Sequence, residues 1–180
     1  MSIVFFIIKS NYCVYHRYNP VSGSSYLELP PSLVTKKALI NPKNNDQKCF
    51  VWAFLAALHH QRGYSHDHPN QIRHYQDFEG TLNLEGITFP MGLKSIAKFE
   101  EQNGVGVNVL GWEAAEVEEL ENGRIKKTPG DGFFPLYPTK VIDKPIVNLL
   151  LYGSDVTNTQ HYVAITGWEG GYFVLELTWI

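Results

Sequence analysis

The sequence predicts an α+β domain, a buried helix packed on an antiparallel sheet, and three observations carry that prediction. From Cys49 to about Arg62 the run Phe50-Val51-Trp52-Ala53-Phe54-Leu55-Ala56-Ala57-Leu58 is apolar on every side, with Gly63 following as a C-cap. A helix that is hydrophobic all round is one enclosed by the rest of its domain. The last quarter is rich in β-branched and aromatic residues at Phe133 to Tyr137, Val147 to Tyr152, His161 to Gly167 and Tyr172 to Trp179, separated by turn formers such as Glu169-Gly170-Gly171. That is the pattern of strands joined by short connections. Finally, 180 residues suffice for one good core and are too few for two domains of ordinary size.

Taken in order, Ile3 to Ile8 and Tyr12 to Tyr18 flank Ser10-Asn11 and read as two early strands or a hairpin. Pro20 to Ser25 is a turn, Tyr26 to Leu29 a short strand ahead of Pro30-Pro31, and Ala38 to Ile40 leads into the polar loop Asn41 to Lys48. The central helix is followed by a His-, Asp- and Asn-rich connector, Tyr64 to Glu79. Ser95 to Asn103 is a short amphipathic helix with Ile96 and Phe99 inward, stopped at Asn103-Gly104. Val105 to Leu110 alternates as a strand does. Glu113 to Glu121 is acidic and solvated, and Gly123 to Gly132 has the composition of an exposed hairpin tip or loop.

The composition excludes several classes of function. A net charge of −3 with scattered Lys and Arg offers no basic field for a nucleic-acid backbone. Ile3 to Ile8 falls far short of the roughly 20 residues that span a bilayer and lacks the flanks of an export signal, so no membrane association is expected. Two cysteines, Cys13 and Cys49, rule out a disulfide framework and point to a cytoplasmic or otherwise intracellular chain, with a Cys13–Cys49 bridge as the alternative use of the pair; a monomer is expected. His59, His60, His66, His68 and His74 lack the spacing of a metal site, and Gly104-Val105-Gly106 and Gly130-Asp131-Gly132 make no phosphate loop. Neither metal nor cofactor is expected.

The chemistry concentrates at Cys49, where a polar loop meets the first turn of the buried helix. Unpaired N–H groups and the positive end of the helix dipole lower a thiol pKa there and stabilise an oxyanion. A cysteine nucleophile needs a base, and His161, opening a late strand, is the suitable histidine. His59 and His60 lie at the far end of the helix, roughly 15 Å away at 1.5 Å rise per residue. The third group, which orients the imidazole, is Glu176 on the next strand, with Asn148 and Asp155 as rivals. Asn44, Asp46 and Gln47 precede the nucleophile and either shape the oxyanion hole or cap the helix. Trp52 reads as core, and Trp112 as a residue that lines the cleft if it is exposed.

This order of residues resembles that of the papain-like cysteine peptidases, with the nucleophile heading a central helix and the histidine starting a strand of a C-terminal sheet. Asp46-Gln47-Lys48-Cys49, followed by Trp52-Ala53 and the late His161-Tyr162, is similar to the Asp-x-x-Cys and His-aromatic signatures of ovarian-tumour-type deubiquitinases, although Gln47-Lys48 stands where that family has Gly-Asn. His161-Tyr162-Val163 and a closing acidic residue also resemble the double-glycine leader peptidases. Over most of its length the chain resembles modules carried by virus-like DNA transposons of animals, in Cys49-Phe50-x-Trp52, Leu55-Ala56-Ala57-Leu58-His59, Val107-Asn108-Val109, Pro135-Leu136-Tyr137 and His161-Tyr162. These resemblances imply a single papain-like cysteine peptidase domain over residues 1–180 that cleaves a peptide or isopeptide bond. Ubiquitin or a ubiquitin-like protein is the implied substrate, ahead of a viral or mobile-element polyprotein, and a catalytically silent binding module is the alternative from another class.

Overall fold

The computed structural model describes residues 3–9, 12–18, 26–35, 37–64, 67–113, 117–119, 125–127, 132–154 and 159–167. The β-branched and aromatic N-terminal segments form β1 (Ile3–Lys9) and β2 (Tyr12–Tyr18), an antiparallel pair running from Ile3 opposite Tyr18 to Lys9 opposite Tyr12. Tyr26 to Leu29, expected as a strand, has none. Pro30 and Pro31 bar a strand from continuing past Leu29, and Pro31 begins the one-turn helix α1 (Pro31–Val34). The segment is held by the next loop: the Tyr26 N–H donates to the Asn44 carbonyl at 3.2 Å and the Asn41 amide to the Leu27 carbonyl at 3.0 Å.

A two-residue strand β3 (Leu39–Ile40) precedes the central helix α2 (Cys49–Gln61), in which every residue from Cys49 to His59 is buried. Arg62 is its C-cap and Gly63 follows at φ +80°, a left-handed conformation that glycine adopts without strain. The connector holds a 3₁₀ turn at Ile72–His74 and a short helix α3 (Gln76–Glu79). After a second 3₁₀ turn, Leu93–Ser95, helix α4 (Ile96–Asn103) buries Ile96, Phe99 and Glu100 and stops at Gly104, which is left-handed at φ +63°.

Strand β4 (Gly106–Glu113) opens the second half. The acidic and Gly-rich stretches contribute β5 (Val117–Glu119) and β6 (Ile125–Lys127), paired antiparallel, and then come β7 (Gly132–Tyr137), β8 (Ile146–Ser154) and β9 (Thr159–Ile165). The strand expected at Tyr172 to Trp179 lies outside the described residues. Five strands form one sheet in the order β3-β9-β8-β4-β7.

The sheet is mixed, which corrects the antiparallel arrangement expected. β8 runs parallel to β4, with Gly106 opposite Ile146 and Leu110 opposite Leu150, while the other pairs are antiparallel. The cause is the stretch 138–145. β7 returns along the outer side of β4, and this stretch carries the chain back to where β4 began, so that the Gly106 N–H donates to the Pro145 carbonyl at 2.9 Å. A parallel neighbour needs such a crossover, whereas a hairpin always reverses the strand.

Helix α2 covers one face of this sheet. Phe50 stands edge-on to Tyr162 at 5.2 Å and to Phe99 at 5.0 Å, and Phe54 to Phe99 at 4.9 Å, arrangements that the aromatic quadrupole favours. These rings join Val107, Val109, Leu149, Leu151 and Ala164 in the main core. On the opposite face Leu29 and Leu33 cover Leu150, Val163 and Ile165 in a smaller cluster. Both layers converge on β9, whose side chains alternate between them.

Candidate active site

The loop before α2 is built around the Asp46 carboxylate. It accepts the Lys48 N–H at 3.0 Å, the Trp52 indole N–H at 3.0 Å and the Asn44 amide at 2.9 Å. Lys48 is the N-cap and its side chain makes no cap bond; Asp46 does this work from two residues upstream. Asn44 is buried, and its amide nitrogen also donates to the Asp46 carbonyl at 2.7 Å, which makes it a brace within the loop. Lys48 pairs with Glu79 of α3. Gln47 is exposed. Trp52 is buried in the core as expected, and its one polar atom explains the acid six residues before it.

Cys49 is the first residue of α2, a free thiol with no exposed surface. Burial pushes its pKa up to about 12, and the charge of Asp46 adds to the rise, against hydrogen bonds from the backbone N–H groups of Tyr162, Phe50 and Cys49 itself. The lowered pKa expected at a helix start is overturned here, because the cost of placing a thiolate in a low-dielectric interior exceeds what a few N–H groups return.

The Tyr162 bond locates the thiol. The Thr166 N–H donates to the Ala38 carbonyl at 2.8 Å, on the β3 side of β9, and N–H groups of the same parity, at Ala164 and Tyr162, point to that edge. β3 ends at Ile40, opposite Ala164. The residue that would face Tyr162 in continued register is Pro42, so β3 extends no further. The sulfur of Cys49 takes the N–H that remains.

His161 is the preceding residue and is also fully buried. By alternation its ring projects with Val163 and Ile165, away from Tyr162 and α2. Tyr26 meets it edge-on, with ring centroids 6.0 Å apart. Directly across the ladder stands Tyr152, at the roughly 5 Å Cβ separation of cross-strand pairs. The structure thus brings the Cys49 thiol to the Tyr162 N–H of β9 while the His161 ring lies on the opposite face of the sheet, and assembles Asn44 with Asp46 immediately before Cys49.

Of the three groups considered for orienting His161, Glu176 and Asp155 lie outside the described residues. Asn148 does not reach the histidine: it pairs with Ile165, four residues along β9, or about 13 Å at roughly 3.3 Å per residue. Its Oδ1 instead accepts the Asn108 amide at 3.0 Å. Trp112 is half-buried against the second cluster, 6.2 Å from Tyr152. Tyr26 and Tyr152 escape a reading of the sequence, because one neighbours His161 through a loop crossing and the other through strand register.

His59 and His60 end α2 as expected, far from Cys49, and His59 is enclosed by Phe78 at 4.1 Å, Tyr64 and Tyr75. Among the described residues, no group of three His, Cys, Asp or Glu side chains is placed to hold a metal ion. Among them, too, no helix is long and apolar enough to cross a membrane. Comparison with protein-family models, with curated proteins and with solved structures gave no significant match.

Proposed function

We propose that the protein is a thiol hydrolase of papain-like architecture that cleaves a peptide or isopeptide bond, with Cys49 as nucleophile and His161 as base. The observation that carries this reading is the place of Cys49, first residue of the buried helix α2, with its thiol near the Tyr162 N–H of β9, the strand position next to a buried histidine. In this reading the His161 ring turns from the Tyr26 side of β9 toward the thiol and takes its proton as the S–C bond forms, and the Cys49 N–H at the head of α2 stabilises the carbonyl oxyanion. The C–N bond then breaks, His161 returns the proton to the leaving amine, and water releases the acyl group. Asn44 and Asp46 fix the loop that sets the Cys49 backbone, with Gln47 at its rim. Glu176 is the proposed orienting residue, and Asp155 the competing one.

The raised pKa means that the thiol is protonated at neutral pH, so proton transfer to His161 accompanies attack. The substrate class, ubiquitin or a ubiquitin-like protein, follows from the likeness of Asp46-x-x-Cys49 and His161-Tyr162 to deubiquitinase signatures; a polyprotein is the next choice. The test is a ubiquitin probe carrying a thiol-reactive C-terminal warhead. An adduct lost in Cys49→Ala and slowed at least 100-fold in His161→Ala is expected. An adduct absent with ubiquitin probes and present with short peptide warheads replaces the substrate class and keeps the hydrolase.

The full burial of Cys49 favours a second reading, a binding module that retains the architecture without turnover. Failure of every thiol-directed probe at neutral pH, with the protein folded, selects it.

A further inference from the structure

A cavity of about 230 Å³ lies at the C-terminal end of α2, bordered by that helix, β3 and the connector. Leu39, Ile40 and Ala56 make part of its lining apolar, and Lys37, His60 and Thr166 bring polar groups to it. The imidazole of His59, itself 3% exposed, is a further wall, held between Phe78 at 4.1 Å, Tyr64 at 5.4 Å and Tyr75 at 5.6 Å. Tyr75 is fixed in turn by its hydroxyl, which donates to the Pro69 carbonyl at 2.7 Å. The titratable side chains of this lining are Lys37, the two histidines and the two tyrosines, and among the described residues no Asp or Glu joins them. The carbonyls that end α2 do not reverse that sign, because those of Leu58, His59 and His60 accept the N–H groups of Arg62, Gly63 and Tyr64 at 3.0 to 3.2 Å.

We propose that this cavity binds a small organic carboxylate. The proposal stands apart from the hydrolase reading, since this end of α2 lies roughly 15 Å from Cys49 at 1.5 Å rise per residue. Charge selects the sign of the ligand. A cation would meet Lys37 with no acid in the lining to offset it, whereas a carboxylate gains a charge-assisted hydrogen bond from the ammonium and N–H bonds from imidazoles, which keep a donor in either charge state. One lysine matches one negative charge. A phosphate is less well served, because phosphates are held by the unpaired N–H groups of helix N-termini and this is the opposite end. The apolar part of the lining selects a ligand with a hydrocarbon body, whose removal from water stabilises the complex, while an inorganic anion gains nothing from it. Size limits that body: the volume falls below the roughly 300–1,000 Å³ of drug-sized sites, which leaves room for one ring or a short chain.

The experiment titrates benzoate into the full chain and follows the amide signals in proton–nitrogen correlation spectra, with benzamide, benzylamine and inorganic phosphate as comparisons. Saturable shifts centred on Lys37, His59, His60 and Thr166 are expected, with benzoate binding at least tenfold more tightly than each comparison compound. Lys37→Glu, at an exposed position, is expected to weaken benzoate binding at least tenfold. His60→Glu, also exposed, is the second charge-reversed variant should the first melt early. Benzamide binding as tightly as benzoate shows that charge does not select the ligand and overturns the proposal, as does tighter binding of benzylamine. Inorganic phosphate that matches benzoate overturns the organic class. The site itself is overturned by the absence of saturable shifts, by shifts centred elsewhere on the chain, or by benzoate affinity that is unchanged in a folded charge-reversed variant.

Discussion

Cys49 is held by two opposing influences that a single residue lets one measure. Burial and the Asp46 charge raise its pKa from 9.0 to about 12, and three backbone N–H groups restrain the rise. A group whose pKa is raised on folding contributes stability that is fully present below its unfolded value and is lost as pH climbs through the folded one. For Cys49 the window runs from pH 9 to about 12, and Tyr75, pushed by burial from 10 to about 12, loses its share in the upper part of it. The melting temperature of the wild type is therefore expected to fall more steeply between pH 9 and 12 than that of Cys49→Ala, as measured by circular dichroism. A parallel decline in the two proteins refutes the buried-thiol account. Asp46 supplies a second test. Asp46→Ala removes three charge-assisted hydrogen bonds and is expected to cost about 2–4 kcal/mol in urea unfolding. It also removes one cause of the raised thiol pKa, so alkylation of Cys49 at pH 8 should accelerate even as stability falls.

The elements owe their positions to a few contacts that propensity does not reveal. Glu100 faces inward on α4, with Oε1 accepting the Val107 N–H at 2.7 Å and Oε2 the Tyr137 hydroxyl at 2.7 Å. This buried carboxylate clips the helix to β4 and β7, and burial together with its bond to Glu100 holds the Tyr137 hydroxyl protonated well above its usual range. Glu100→Ala is expected to lose about 3 kcal/mol, because it leaves a buried N–H and a hydroxyl without acceptors; a loss under 1 kcal/mol in urea melts would show the clip to be incidental. Gly111 permits a different close approach. The Phe134 ring lies across it, and a Cβ there would meet a ring carbon at 2.5 Å. Gly111→Ala is therefore expected to displace Phe134 at a cost of about 1–3 kcal/mol, visible as a changed Phe134 environment in ring-proton spectra.

At the scale of the molecule, β9 is the member on which the rest depends: it pairs with β3 and β8, packs against α2 and carries His161. A chain ending at residue 154 retains α2 and most of the sheet, yet it is expected to lose cooperative unfolding, because the apolar face of α2 then has no complete partner. A sharp urea transition in that fragment would contradict this. The sequence by itself determined the α+β class, the bounds of α2 through Gly63, the stop of α4 at Gly104, and most strands of the second half, since each rests on local periodicity or on a residue with special backbone freedom. It also singled out Cys49 and His161 by residue type and place. Only the tertiary structure decided that β4 and β8 are parallel, that Asn148 lies four residues from the His161 row, and that the Cys49 thiol fills the ladder position where Pro42 halts β3. Only there does burial override the helix dipole at the thiol. Strand order, register and desolvation depend on which distant segments meet, and local pattern carries no record of that meeting.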